Sequence, residues 1–187
     1  CSFEGAATSV GGYSAWSGAL LDHCADVAID ECTIRGAQYP GSLATSAGTP
    51  HSGVGLRVIA SGVTLHHSHV IGGNGAEAFD PIAGIEGGAG VEVTGSDFFA
   101  AGSSIVGGRG GDGDAYAGGA GNGGHGLVTK NSITQVLDCN LGGGSGGCNY
   151  KWFGCSAYSP SGSPSVGDPL ILPGTAPELN APTLVSS

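Results

Sequence analysis

Methionine is missing from this 187-residue chain, and lysine and arginine together number only 5. Against them stand 15 Asp and Glu, for a formal charge of −10. So few cations cannot build the basic face that phosphate binding requires, which argues against nucleic acid as a partner. The same deficit disfavours adhesion to anionic membranes. No apolar run reaches the roughly 18 residues that a membrane span needs. The abrupt start at Cys1, with no leader-like run in the residues given, reads as a mature product or an excised fragment.

What is abundant is glycine, with 39 residues. That is about three times ordinary usage. Each glycine inside a helix costs roughly 1 kcal/mol relative to alanine, so long helices are excluded. Hydrophobic residues still make up 40%, enough for a core. The length suits one domain. Six cysteines beside so little lysine point to an oxidising, extracellular or cell-surface compartment.

The stretch "GLRVIASGVTLHHSHVIGG" is too apolar for a loop and has no helical period. It recurs. Leu20, Leu56, Val91 and Leu127 begin four similar segments, at intervals of 36, 35 and 36 residues. Seven residues on stand Val27, Val63, Phe98 and Thr134, and nine on Ile29, Leu65, Ala100 and Val136. Fourteen on stand Ile34, Val70, Ile105 and Leu141, and sixteen on Gly36, Gly72, Gly107 and Gly143. Apolar alternation with a period of two means strand. It is broken twice by small residues, five and twelve positions on, where a chain would turn a corner.

Each segment therefore reads as three short strands joined by tight bends. One segment cannot bury its inner face alone, but a stack can, at about 4.8 Å per layer. The reading is all-β, a parallel solenoid of about four full coils over residues 1–147. A sandwich is the rival, but its hairpin turns are not found inside a segment. "CSFEG" matches "CTIRG", which places Cys1 and Phe3 in the last third of an earlier coil. Asp22 falls at an otherwise inward position: either it lies near the open end of a fragment, or that strand is shifted so that Leu21 faces inward. The linking stretches 37–54, 73–89 and 108–125 are glycine-rich and leave each coil at the same point. They should emerge on one side, and the most glycine-rich of them, 107–124, is expected either to be mobile or to pack as extended, polyproline-like strands. Residues 148–187 turn proline-rich and read as an irregular cap or extension, with Leu170 and Leu172 suited to crossing the last open coil.

The patterns "GLRVIASGVTLHHSHVIGG" and "GVEVTGSDFFAAGSSIVGG" resemble the right-handed parallel β-helix repeat of the pectate-lyase-like superfamily, of the secreted bacterial surface type. The resemblance covers roughly residues 1–147. It implies right-handed coiling, and a function among polysaccharide lyases and hydrolases, phage tailspikes, adhesins and other surface proteins. The asparagine ladder frequent in that superfamily is replaced here by Cys or Ser at the second bend.

Stacked positions about 4.8 Å apart lie within disulfide range, so Cys1 is expected to pair with Cys32. Cys148 and Cys155 close a short aromatic loop and form a plausible second bridge. Cys24 and Cys139 are then left over, although Cys139 has Cys148 and Cys155 as alternative partners.

Candidate chemistry is sparse. His66, His67 and His69 read as a solvated surface cluster in which His67 stacks beside Glu31, a weak metal pair short of the three or four ligands a metal needs. "GGRGGD" matches the first half of a calcium-binding nonapeptide, making Asp112 and Asp114 a weak calcium candidate. Only one copy occurs, and that motif shares each ion between tandem turns. Carbohydrate cleavage needs carboxylates converging on a cleft. Asp30, Glu31, Glu92, Asp97 and Asp138 face outward or sit at bends, but no neighbouring coils pair them at one position, and Arg57 beside Glu92 reads as a surface ion pair. No catalytic or cofactor-binding residue is assigned, calcium being the one cofactor considered. A flat threonine array of the ice-binding kind is not found either.

The expected role is that of a secreted or cell-surface solenoid segment with a structural, adhesive or binding function. Its expected partners are polysaccharide or other surface proteins, and its solenoid ends offer a route to self-association. The alternative is part of a carbohydrate-active enzyme or a tailspike-like protein.

Overall fold

The computed structural model describes residues 1–5, 16–38, 52–77, 84–113, 119–151, 154–158, 160–167 and 170–171. Its strands in chain order are β1 (Ser2–Glu4), β2 (Ala19–Asp22), β3 (Val27–Asp30), β4 (Thr33–Arg35), β5 (Leu56–Ile59), β6 (Gly62–His66), β7 (His69–Ile71), β8 (Val91–Thr94), β9 (Asp97–Ala101), β10 (Ser104–Val106), β11 (Leu127–Lys130), β12 (Ile133–Leu137), β13 (Asn140–Gly142), β14 (Cys148–Lys151), β15 (Gly154–Tyr158), β16 (Ser165–Gly167) and β17 (Leu170–Ile171). No helix occurs among the described residues.

All but β14 and β15 belong to three parallel sheets. The first has the order β16-β11-β8-β5-β2, the second β17-β12-β9-β6-β3 and the third β1-β4-β7-β10-β13. The chain visits the sheets in that rotation, which is a parallel β-solenoid. Four strand triplets bring the chain back to the first sheet three times between them. The solenoid thus has about three full turns where the repeat suggests about four.

Register follows the repeat. Leu56 pairs with Val91 and Val91 with Leu127, all three fully buried. Val63, Phe98 and Thr134 form a second inner column, and Leu65, Ala100 and Val136 a third. Phe98, the bulkiest of these, shares its coil with Ala100, so large and small residues offset one another at close packing. Ile34, Val70, Ile105 and partly buried Leu141 close the core from the third sheet.

The first coil departs from the repeat. Ala19 pairs with Leu56 and Leu21 with Val58, so Leu20 points out and is 58% exposed. Val27 nonetheless pairs with Val63. The first coil therefore carries one extra residue at its first bend, around Ala25 and Asp26, and Cys24 rather than Ala25 occupies the bend column. This shift takes Asp22 off the inner face.

The bends are built from a left-handed residue followed by a serine-type side chain. Ala60, Gly95 and Asn131 have φ of 45°, 58° and 51° at the first bend. Glu31, His67, Gly102 and Asp138 have φ of 49°, 43°, 57° and 50° at the second. A bend of this kind turns the next N–H away from the sheet ladder, and buried N–H groups need partners. Ser61 Oγ accepts from Cys24 N at 2.9 Å, Ser96 Oγ from Ser61 N at 3.0 Å, and Ser132 Oγ from Ser96 N at 3.3 Å. At the second bend Ser68 Oγ accepts from Cys32 N and Ser103 Oγ from Ser68 N, both at 3.1 Å. Each of these hydroxyls also donates to the carbonyl two residues back. The serine columns thus do between coils what an asparagine ladder does elsewhere.

The glycine-rich links are ordered into a layer where they are described. Gly73 N donates to Gly53 O, Gly88 N to Gly73 O, Gly108 N to Gly88 O, Gly124 N to Gly108 O and Gly144 N to Gly124 O. A second row lies three residues along: Ile85 N donates to Ala76 O, Gly111 N to Ile85 O, Gly121 N to Gly111 O and Gly147 N to Gly121 O. Bonding every third residue is the period of an extended polyproline-type helix. Outgoing and returning segments alternate in these rows. One residue in each triplet, such as Asn74, Arg109, Asn122 or Ser145, is exposed, and the carbonyls of the last three accept from Gly75 N, Gly87 N and Gly110 N. Packing is close enough that a Cβ at Gly108 would collide with the carbonyl of Gly73, and one at Gly124 with the carbonyl of Gly88.

Two disulfides are present, Cys1–Cys32 and Cys148–Cys155, and Cys24 and Cys139 are free. β14 and β15 form an antiparallel hairpin closed by the second bridge. Beyond it, β16 adds to β11 and β17 to β12, extending the first two sheets past the hairpin. Leu172 lies outside the described residues.

Candidate functional site

The sequence candidates are placed as follows. His67 sits in the left-handed bend after β6, and its Nδ1 is 3.5 Å from Asp30 Oδ1, both side chains being exposed. The expected neighbour, Glu31, occupies the equivalent bend one coil earlier, and its carbonyl accepts from the Cys1 amino group. The carboxylate brought to His67 is thus that of Asp30. The His67 ring also lies against Gly102 of the next coil. His66 packs instead on Phe99, with ring centroids 5.6 Å apart. Among the described residues no group of three or more His, Cys, Asp or Glu is placed to hold a metal ion.

Asp112 is buried, and one carboxylate oxygen accepts from both Arg109 Nη2 and Cys148 N. It ties the glycine layer to the start of the hairpin. Asp114 lies outside the described residues. Arg57 and Glu92 pair as expected from their stacked positions, with Nε 2.9 Å and Nη2 2.7 Å from Glu92 Oε2.

Among the described residues, two grooves stand out on the outer surface. The larger, about 600 Å³, lies between the first sheet and the returning glycine segments. One wall is the outward column Arg57, Glu92 and Val128 on β5, β8 and β11. The other carries Glu86, Asn122 and Pro160, one per coil. The groove therefore runs along the solenoid axis across three coils. Its side chains are braced. Asn122 Nδ2 donates to Glu86 Oε1 at 3.0 Å, and Ser52 Oγ donates to the Glu86 carbonyl at 2.6 Å. His125 Nδ1 accepts from Ser163 N at 3.0 Å, so in the neutral ring the proton sits on Nε2. Val54, Ala89 and Val128 supply small apolar surface between these polar groups.

The smaller groove, about 450 Å³, crosses the second sheet. Asp26, Gly62, Asp97 and Ile133 form one of its columns, and Thr64, Phe99 and Gln135 another. Neither groove was visible as a site in the sequence. Asp26 stands at the extra residue of the first coil, where the repeat alignment fails. Glu86 and Asn122 lie in links whose period is three rather than two, and that triplet spacing is the signal that could have found them.

No protein-family model matches the chain, and no curated protein matches it. Among solved structures, a springtail antifreeze protein from Granisotoma rainieri, described as a nine polyproline type II helical bundle whose crystal waters match the ice lattice, is 22% identical. The match covers 88% of this chain and 95% of that chain with a TM-score of 0.20, too low to carry any structural argument.

Proposed function

We propose that this solenoid is an extracellular or cell-surface scaffold that binds an extended polysaccharide along its axis. The observation that carries the reading is the long groove between the first sheet and the glycine layer. It offers donors and acceptors of both kinds at coil spacing, from Arg57, Glu92, Glu86, Asn122 and His125, with apolar patches between them. Sugar hydroxyls both donate and accept, and binding sites of this kind combine apolar lining with a few fixed polar groups. The bracing bonds hold those groups before a ligand arrives, which lowers the cost of ordering them.

The compartment rests on the two disulfides and the scarcity of lysine. No helix among the described residues is long and apolar enough to cross a membrane. The secreted surface β-helix type suggested by the repeat fits this reading.

The test is a glycan array with the purified chain, followed by titration of any hit with Glu92→Gln and Asn122→Ala variants. The reading expects both to weaken binding about tenfold or more. Absence of any glycan hit, or binding unchanged in both variants, would overturn it. Mass spectrometry of the bound oligosaccharide checks for cleavage, whose appearance would replace a binding role by an enzymatic one.

A further inference from the structure

The groove on the second sheet has a chemistry unlike that of the axial groove, and it is separate from the polysaccharide reading. Among the described residues its lining includes two carboxylates, Asp26 and Asp97, and no lysine or arginine. They stand two coils apart in one column with Gly62 between them, so their backbones are about 10 Å apart at strand spacing. Gly62 leaves the space between them open. A Cβ there would lie 3.6 Å from Asp26 Oδ1, so this carboxylate borders the gap directly.

Beside the gap stands Phe99, whose outward ring is half-buried and held against the His66 ring at an interplanar angle of 56°. Thr64 and Gln135 flank Phe99 in its column, and each has a polar side chain in the groove lining. A fixed aromatic ring next to two carboxylates that have no ion-pair partner among the described residues favours a cation, through the ring quadrupole and through direct charge. The chain as a whole carries a charge of −10, which steers cationic ligands toward it and anionic ones away. An anionic sugar acid would meet two like charges here and, among the described lining residues, no lysine or arginine.

We propose that this groove binds a ligand bearing protonated primary amines, with one amine seated over Gly62 between Asp26 and Asp97 and the adjoining carbon skeleton lying on Phe99. Two sources share that chemistry, an amino-sugar oligomer and an aliphatic polyamine. The rows of hydroxyl and amide groups on Thr64 and Gln135 give the amino sugar additional partners that a polyamine cannot use.

The experiment is titration calorimetry of the full chain with glucosamine hexamer, its fully N-acetylated counterpart and spermidine. An Asp26→Asn, Asp97→Asn double variant, a Phe99→Ala variant and a control Glu4→Gln, Asp138→Asn double variant are compared. The control removes the same number of carboxylates elsewhere on the surface. Asn tolerates the left-handed backbone at Asp26, which has φ of 52°, so the fold is preserved. Unfolding temperature verifies this for each variant.

The proposal expects an amine ligand to bind, the acetylated hexamer to bind at least about tenfold more weakly, and the Asp26/Asp97 variant to lose about tenfold or more. Loss on Phe99→Ala should be about three- to tenfold, with the control within about twofold of the parent. Tighter binding of the hexamer than of spermidine identifies the amino sugar as the source, and the reverse identifies the polyamine. An equal loss in the control, equal binding of the acetylated hexamer, or no binding of either amine would overturn the proposal. The axial groove is untouched by these variants, so failure here leaves the glycan-array result standing, and the converse holds.

Discussion

Leu65 and Gly108 both hold neighbouring coils together, by opposite means. Leu65 is fully buried in a column with Ile29, Ala100 and Val136, and its contribution is apolar surface removed from water. Gly108 contributes no side chain. It lets one main chain approach another until carbonyl and Cα touch, and its N–H donates to Gly88 O at 2.8 Å. On the sheet side, hydrogen bonds and burial act together. On the glycine side the layer depends mainly on bonds and close contact, and at Gly108 and Gly124 the approach of the neighbouring carbonyl leaves no room for a Cβ. The two sides should therefore differ in how they break.

Replacing Leu65 by Asp places an unpaired charge in the core, which costs several kcal/mol. The expected outcome is loss of the cooperative unfolding transition in circular dichroism, and a variant with a transition within a few degrees of the parent would contradict the shared core. Gly108→Ala is expected to cost about 3 kcal/mol, because the methyl would meet the Gly73 carbonyl rather than a yielding side chain. For a chain of this size that lowers the unfolding temperature by roughly 6–12 °C. A change within experimental error would mean that the glycine segments do not pack at this distance.

Ser68→Ala is smaller. It leaves the Cys32 N–H without its acceptor, at about 1–2 kcal/mol, read as a shift of roughly 2–8 °C. If the serine columns are incidental, the shift vanishes. His67→Ala is smallest, within about 0.5 kcal/mol, since its contact with Asp30 is exposed at 3.5 Å. A large loss of stability or of bound metal would show that the histidine cluster does more than its geometry supports.

The contrast also explains what the sequence made legible. Leu56, Val91 and Leu127 announce their column because period-two burial writes itself into residue type, and Cys1 and Cys32 fall in one stack for the same reason. In "GALLDHC" the alternation is ambiguous, since Ala19, Leu20 and Leu21 are all apolar. The repeat aligns Leu20 with Leu56, while in the structure Ala19 pairs with it. The pairing of His67 was misplaced by one residue for a related reason. Column position located Glu31 correctly, but ring direction selected Asp30. The glycine layer was least legible. A run of glycine carries almost no pattern of polarity, so its triplet order is visible only once neighbouring main chains are in place. The grooves follow from that, because one is walled by the layer and the other contains the extra residue of the first coil.

The account's central claim is that glycine segments and strands belong to one stacked structure. Amide hydrogen exchange by NMR tests it most directly, by comparing Gly88, Gly108 and Gly124 with Val91 and Leu127. The stacked structure predicts protection of the three glycine amides comparable to that of the two strand amides. Glycine amides exchanging at the rate of an open chain, beside protected strands, would contradict it.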